Sequence, residues 1–272
     1  MAQSNLQNPS GEAGPVEYKK RGMATIFGAP ISWVALFGAL MGVTALVPMI
    51  FYIFGGGFIS AGMAIFGPIT GLVLGPWAGL IAGLVGGIIG MFLSPASFPL
   101  GIIDAFLSGA FIPLSWGLTI RKYHKYLIPW WVVWLIIVNV YPYYLPGSAG
   151  GYEAPTQPGY ILSWSWSYVG IVLFLILGLK FVPKWVEEGA SPVMMFIGLL
   201  LMNFFGNTCW MLPWKIIYFS ILKFPADTVM ADNIISWWAY TAPMVIAGTI
   251  VAQVTITAMR RGGLRQASGG MV

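Results

Sequence analysis

Asp104 is the first residue in this chain whose type and position suggest chemistry. It is the only acidic residue inside a predicted helix of the first half of the sequence. A carboxylate within a membrane-spanning helix is energetically costly, and by default it indicates a functional site. Because Asp104 lies close to the start of its predicted helix, there is an alternative, in which it only stabilises the helix N-terminus through the helix dipole.

Two asparagines form the next candidate pair. Asn203 and Asn207 are four residues apart in the run FIGLLLMNFFGNTCWMLPW, so they share one face of a predicted helix. In one interpretation the two amides bind the polar edge of a ligand, and in the other they hold neighbouring helices together. Trp210 and Trp214 extend the outer end of the same helix.

Further aromatic residues fall at the predicted outer ends of two other spans. Trp164 and Trp166 lie in the outer half of the sixth span, and Trp237 and Tyr240 lie at the outer end of the eighth. Aromatic residues anchor helices at membrane interfaces, but with a few polar groups they also form small-molecule pockets, and cation–π contacts would suit a positively charged heterocycle. The predicted substrate-binding residues are Asp104, Trp164, Trp166, Asn203, Asn207, Trp210, Trp214 and Trp237.

The same inventory argues against catalysis and metal binding. The single cysteine, Cys209, and the single histidine, His124, exclude an intramolecular disulfide and a cysteine or multi-histidine metal site. The predicted spans also lack the positioned acid–base and nucleophilic groups that an enzyme needs. We therefore expect no catalytic residue, metal or cofactor. The net charge of +5 comes from basic residues scattered at span ends, so we expect no nucleic-acid partner.

The elements that carry these residues are predicted to be membrane helices. The chain is 58% hydrophobic and 8% charged, and no Asp, Glu, Lys, Arg or His occurs from Gly22 to Ile103. A run of about twenty apolar residues crosses a bilayer as a helix, since lipid offers backbone groups no hydrogen bonds. The apolar runs predict helices at about 31–54, 57–74, 77–94, 100–120, 128–146, 160–182, 191–213 and 234–259.

The distribution of basic residues predicts the orientation. Cytoplasmic segments collect Lys and Arg, and with the N-terminus inside only Lys215 and Lys223 fall in outer segments. We therefore expect an all-α polytopic transmembrane bundle of six to eight spans in the cell membrane, with both termini cytoplasmic. Residues 214–233 are expected to be an outer segment, in which the apolar stretch IIYFSILKF is a candidate amphipathic helix at the membrane interface. The predicted division is a disordered cytoplasmic tail at 1–28, the helical bundle at 29–260 and a cytoplasmic tail at 261–272.

Glycines recur every four residues in FGPITGLVLGPWAGLIAGLVGGIIG, at residues 66–90. In membranes such small residues let helix backbones approach closely. The pair Gly75–Pro76 predicts a break between two short helices rather than one long one. The first helix carries small residues at the same spacing, namely Ala35, Gly38, Ala39 and Gly42.

An Ala-xxx-Ala step, a short apolar helix and then LVLGPWAGLIAGLVGGIIG together resemble the substrate-binding (S) components of energy-coupling factor transporters. The resemblance covers residues 30–120, and the chain likewise has no GxxxxGK[ST] nucleotide-binding motif. Family members typically have six spans, fewer than the eight apolar runs here.

The resemblance implies a subunit that binds a vitamin-like heterocycle from outside and docks on a transmembrane coupling protein driven by ATPase subunits. The docking residues it implies are Ala35 and Ala39, with Gly38 and Gly42 alongside. The expected partners are thus a small-molecule substrate, membrane lipid, the coupling protein and its ATPases. The alternative is a non-catalytic structural or assembly subunit of a larger membrane complex.

Overall fold

The computed structural model describes residues 24–54, 56–144, 157–187, 190–224, 226–262 and 270–271. Most of the predicted tails and of the Gly- and Pro-rich loop at 147–159 lie outside these residues. Over the described residues the chain is almost entirely helical, with two short antiparallel strand pairs. In chain order the elements are strands β1 (Thr25–Ile26) and β2 (Ala29–Pro30), helix α1 (Ile31–Val43), strands β3 (Pro48–Phe51) and β4 (Phe58–Ser60), and helices α2 (Gly62–Leu74), α3 (Pro76–Leu93), α4 (Ile102–Leu118), α5 (His124–Tyr144), α6 (Gln157–Ser163), α7 (Ser165–Gly178), α8 (Val182–Trp185), α9 (Pro192–Leu222), α10 (Ala226–Ser236) and α11 (Ala242–Arg261).

Helix α3 packs between α1 and α4 through its glycines. A Cβ added at Gly86 would lie 2.8 Å from the carbonyl oxygen of Gly38 on α1, and one at Gly87 would lie 2.6 Å from that of Ala105 on α4. These distances leave no room for a side chain, so the three helices meet backbone to backbone. The glycines of α3 therefore allow close helix packing on both sides.

The predicted break near Gly75–Pro76 is confirmed. Helix α2 ends at Leu74, Gly75 adopts a φ of +80°, and α3 begins at Pro76. Glycine accepts this left-handed backbone conformation without steric cost, and proline is well suited to the first position of a helix. The two residues thus turn the chain sharply and start a new helix.

Residues 48–51 and 58–60 pair as an antiparallel hairpin, so the helices predicted at 31–54 and 57–74 are wrong over these residues. Helix α1 stops at Val43, and β3 pairs with β4 in antiparallel register. Val47 is extended because it precedes Pro48, which disfavours helical backbone at the preceding residue. Gly57, with a φ of +96°, lies in the turn. Hydropathy alone does not separate this apolar hairpin from a helix.

The structure of residues 214–222 and 226–233 also differs from the predicted outer segment. Helix α9 continues through Pro213 to Leu222, and α10 begins at Ala226. The apolar residues that follow Trp214 extend the helix, and Lys215 is buried rather than in an outer loop. A helical turn at Trp237–Thr241 joins α10 to α11.

The helices indicate a membrane-embedded protein. Over the described residues, three helices are long and apolar enough to cross a membrane, namely Pro76–Leu93, Pro192–Leu222 and Thr228–Arg261. A fourth span results if Ile102–Leu118 and Arg121–Val140, which are bent by 102°, count as one. Shorter apolar helices cover Ile31–Leu46, Gly62–Leu74 and Ser165–Gly178. The six to eight spans and the orientation of the termini remain predictions.

The bundle has two distinct ends. The end that carries the β3–β4 hairpin is called the hairpin end, and there the backbone N–H of Ile53 donates to the Tyr240 hydroxyl at 2.8 Å. The opposite end carries Arg121, Lys184 and Arg260 and is called the basic end. There the Arg260 guanidinium donates to the carbonyl oxygen of Val186 at 2.9 Å.

Candidate functional site

Asp104 is fully buried in the first turn of α4, at the hairpin end. Its Oδ1 accepts hydrogen bonds from the Ser108 hydroxyl, one turn further along α4, and from the Trp214 indole N–H at 3.2 Å. Its Oδ2 is also buried but has no hydrogen-bond partner among the described residues. One oxygen of the carboxylate is therefore left to bind another group.

Trp210 and Trp214 fix α9 against α4. The Trp210 indole N–H donates to the carbonyl oxygen of Leu107 at 2.7 Å, and the Trp214 indole N–H reaches Asp104. Both side chains are buried, and their rings are 5.9 Å apart. Of the eight predicted substrate-binding residues, Trp210 and Trp214 are the two that pack beside Asp104.

Trp214, which hydrogen-bonds Asp104, belongs to a group of four packed rings, and we call Tyr52, Trp214, Tyr218 and Tyr240 the aromatic cluster. Tyr218 stacks on Trp214 with ring centroids 4.6 Å apart, and Tyr52 lies 5.4 Å from Trp214 and 6.2 Å from Tyr240. The hydroxyls of Tyr52 and Tyr218 are buried without a hydrogen-bond partner among the described residues. Sequence reasoning missed these two tyrosines, since tyrosine at a span end is usually an interface anchor.

The hairpin covers the aromatic cluster. Tyr52 directly follows β3. The hydrogen bond from the Ile53 N–H to the Tyr240 hydroxyl attaches the hairpin to the helical turn between α10 and α11. On the other side, a Cβ added at Gly57 would lie 2.6 Å from the carbonyl oxygen of Ala96, so the hairpin is also close to the loop before α4. Access to the cluster from the hairpin end therefore requires the hairpin to move.

A buried ion pair lies next to the aromatic cluster. Lys215 pairs with Asp232 of α10, and its ammonium group also donates to Asn233 Oδ1 at 2.9 Å and to the Ser236 hydroxyl at 2.6 Å. All four side chains are buried. We call them the Lys215 network. This network was not predicted from the sequence, because both charges were expected in an outer loop.

Trp164 and Trp166 lie near the Lys215 network rather than at the Asp104 carboxylate. They are buried where α6 meets α7, with rings 5.8 Å apart. The Lys215 ammonium is 5.9 Å from the centroid of the Trp166 ring. Their predicted role in substrate binding stays a prediction.

Asn203 joins three helices. Its Oδ1 accepts from the Trp116 indole N–H of α4 at 2.8 Å, and its Nδ2 donates to the Thr249 hydroxyl of α11 at 3.2 Å. Asn207, one turn further along α9, contacts only the Met244 sulfur at 3.6 Å through Nδ2, and its buried Oδ1 has no hydrogen-bond partner among the residues described. The interhelical interpretation thus fits Asn203, whereas Asn207 keeps a free acceptor.

Trp237 is separate from the aromatic cluster. It lies in the turn between α10 and α11 and stacks on Phe204 with ring centroids 5.8 Å apart. The side chain is half-buried, and its neighbour Trp238 is 81% exposed. The structure shows no contact of Trp237 with Asp104.

The four predicted docking residues on α1 fall into two pairs. Gly38 and Gly42 are buried against α3, and a Cβ added at Gly38 would lie 2.8 Å from the carbonyl oxygen of Ala82. Ala35 and Ala39 are exposed on a strip of α1 that adjoins the buried glycine strip, because residues three and seven apart lie on the same side of a helix. Only the alanines are therefore free to contact another protein.

Over the described part of the chain, no group of three or more His, Cys, Asp or Glu side chains is placed to hold a metal ion. Cys209 is buried in α9. His124 hydrogen-bonds the carbonyl oxygen of Thr119 at 2.8 Å, within the turn between α4 and α5. At the hairpin end, a carboxylate, tyrosine hydroxyls and aromatic rings lie together.

No protein-family model matches the chain, and comparison with curated proteins and with solved structures finds no match. Membership of the transporter family that residues 30–120 resemble therefore stays a proposal. The buried polar atoms and rings at the hairpin end are the features from which a function can be inferred.

Proposed function

We propose that the protein is the membrane-embedded substrate-binding subunit of an uptake system for a small vitamin-like heterocycle. The observation that carries the proposal is a set of three buried polar atoms, Asp104 Oδ2, Tyr52 Oη and Tyr218 Oη, that lack hydrogen-bond partners among the described residues. Leaving such an atom unpaired costs about 1–3 kcal/mol. Three of them around one set of rings are best explained by a ligand that supplies the partners.

The aromatic cluster suits a flat ring. Apolar and aromatic walls with a few convergent polar groups are the usual form of a small-molecule site. A heterocycle would pack against Tyr52, Trp214 and Tyr218 and would present its polar edge to Asp104. The hairpin, which bonds to Tyr240 through Ile53, would open to admit the ligand and close over it.

Coupling to an energy source is the second part of the proposal. The chain contains no GxxxxGK[ST] motif, so a separate ATPase module in the cell membrane would drive uptake. The exposed pair Ala35 and Ala39 lies at four-residue spacing on α1. Small residues at this spacing allow a partner helix to approach closely, which supports docking of a transmembrane coupling protein on this face.

The second candidate is a structural or assembly subunit without a ligand. The observation that favours it is Asn203, whose amide is satisfied by side chains and backbone of this chain alone. In that case the polar groups of α9 hold the bundle together, and Ala35 and Ala39 contact a permanent neighbour.

Native mass spectrometry of gently extracted protein tests the two functions against each other. We expect a small molecule bound at one copy per chain, whose release increases tryptophan fluorescence, because Trp214 lies in the site. Tyr52→Phe and Tyr218→Phe should weaken its retention, whereas Tyr126→Phe, an exposed tyrosine at the basic end, should not. A stable protein complex that carries no small molecule would support the structural subunit instead.

A further inference from the structure

The hairpin end contains two buried carboxylates with different surroundings. Asp232 forms an ion pair with Lys215, so that pair has no net charge. Asp104 Oδ1 accepts from the neutral donors Ser108 and Trp214, and Asp104 forms no ion pair with any residue that the structure describes. A buried charge is normally paired, and here the protein itself provides a counter-charge for one carboxylate but not for the other.

The Lys215 network shows how this region holds a buried cation. The ammonium group contacts a carboxylate oxygen and a hydroxyl, Asp232 Oδ2 and Ser236 Oγ, together with an amide oxygen. It also lies 5.9 Å from the ring centroids of both Trp166 and Phe219. Carboxylate, neutral oxygens and ring faces together therefore surround the positive charge, as expected for a desolvated cation–π site.

The same kinds of groups lie around the hydrogen bond between Asp104 and Trp214, without the cation. The carboxylate offers Oδ2, the hydroxyls of Tyr52 and Tyr218 offer two neutral oxygens, and all three atoms are buried without partners among the described residues. Trp214 and Tyr218 stack 4.6 Å apart beside them, and Tyr52 packs 5.4 Å from Trp214. What this second set lacks, compared with the first, is a positively charged nitrogen.

We infer that the substrate is a small organic cation, with a protonated nitrogen against Asp104 Oδ2 and a flat ring among Tyr52, Trp214 and Tyr218. The inference rests on the proposed function and names the substrate class of the same site. An anion would be repelled by Asp104. A neutral molecule of the same shape would leave the carboxylate without a counter-charge, so it would bind less tightly.

Three compounds of similar shape but different charge test the substrate class. Purified protein in phosphatidylcholine nanodiscs would be titrated at pH 7 and constant ionic strength with benzamidine, benzamide and benzoate. Tryptophan fluorescence and the thermal unfolding midpoint are the readouts. We expect benzamidine, the cation, to bind at least tenfold more tightly than benzamide, and benzoate to show no saturable binding.

Variants connect the charge preference to the site. Asp104→Asn should bring the affinity for benzamidine down to that for benzamide. Because this variant removes a buried group and can fail to fold, Tyr218→Phe provides a second measurement. It keeps the ring and loses only a hydroxyl, and it should weaken benzamidine binding several-fold. Tyr126→Phe, at the basic end, should leave binding unchanged.

Three results would overturn the inference: benzamide binding as tightly as benzamidine, no saturable binding of benzamidine, or equal stabilisation by sodium chloride alone. None of these by itself removes the proposed function. If a neutral or anionic small molecule is found on the extracted protein, the proposed function stands and the inference of a cationic substrate is wrong. If no small molecule is found and benzamidine does not bind, both are wrong.

Discussion

In helices α1–α4 neighbouring backbones touch, whereas α9–α11 are joined to the rest of the bundle by buried side chains. The first region packs through Gly38, Gly86 and Gly87, where no side chain separates the helices. The second relies on hydrogen bonds such as those from Trp116 to Asn203 and from Trp210 to Leu107. Backbone contacts leave no space for a ligand, so the first region is a scaffold. Polar and aromatic side chains make the second region the place where specific binding can arise.

Asp104 lies where the two regions meet. It belongs to α4, which packs on the glycines of α3, yet its hydrogen bond from Trp214 comes from α9. Its position is therefore set by the rigid region, and its partners are supplied by the side-chain-rich one. Four predictions would break or sharpen this comparison, and they follow from the largest expected effect to the smallest.

Lys215→Met should destabilise the protein most. It leaves Asp232 buried without its partner, and breaking a buried ion pair from one side costs about 3–5 kcal/mol. The double variant Lys215→Met/Asp232→Leu should recover most of this loss, because it removes both charges. Unfolding in detergent–denaturant mixtures would measure both. If the double variant were as unstable as the single one, the pair would not be the source of the effect.

Gly87→Ala should separate α3 from α4. The added Cβ would lie 2.6 Å from the carbonyl oxygen of Ala105, and backbone must move to accept it. Overpacking of this kind costs about 1–3 kcal/mol. Ile88→Leu, at an exposed position of the same helix, is the control and should leave the thermal midpoint unchanged. Equal midpoints for both variants would contradict backbone packing in this region.

Asn203→Leu and Asn207→Leu form a matched pair on one helix face. The first leaves the buried Trp116 indole N–H without its acceptor and should cost about 1–3 kcal/mol. The second removes only a 3.6 Å contact to the Met244 sulfur, so its effect on the free energy of unfolding should be smaller. Denaturant unfolding of the two variants under the same conditions measures which of them loses more unfolding free energy. The reverse order would show that Asn207, not Asn203, holds the helices together.

Ala39→Leu should have the smallest effect on the isolated protein. The side chain is exposed, and exposed substitutions usually change stability by less than about 0.5 kcal/mol. If α1 docks on a coupling protein, the same variant should lose co-purification with it. Val43→Leu, an exposed position one turn along α1 that already carries a large side chain, should keep the complex.

The sequence predicted the scaffold better than the site. Glycine spacing and Gly75–Pro76 act locally, so the close-packed helices and the break between α2 and α3 could be predicted from neighbouring residues alone. The hairpin could not, since β3 and β4 are as apolar as a membrane helix. Lys215 was misplaced for a related reason: a charge at a span end is normally solvated, and its buried partner, Asp232, lies on another helix.

The candidate site could be predicted only in part. Asp104 is conspicuous as a carboxylate in an apolar run, and Trp214, which hydrogen-bonds it, and Trp210 were candidates for the same site. Tyr52 and Tyr218 gave no comparable signal, because their hydroxyls become significant only when burial and the absence of partners among the described residues are known. Which polar atoms remain unsatisfied is a property of the packed structure, not of local sequence.

The length of α9 has a consequence for how a substrate reaches the site. Its 31 residues make a helix of about 46 Å at 1.5 Å per residue, while the hydrocarbon core of a bilayer is about 30 Å thick. If α9 starts at the edge of the hydrocarbon core at the basic end, Trp214 is about 33 Å and Tyr218 about 39 Å along the helix, beyond the far edge of the core and at the depth of the lipid headgroups. A water-soluble, charged substrate would then bind without entering the hydrocarbon core of the bilayer.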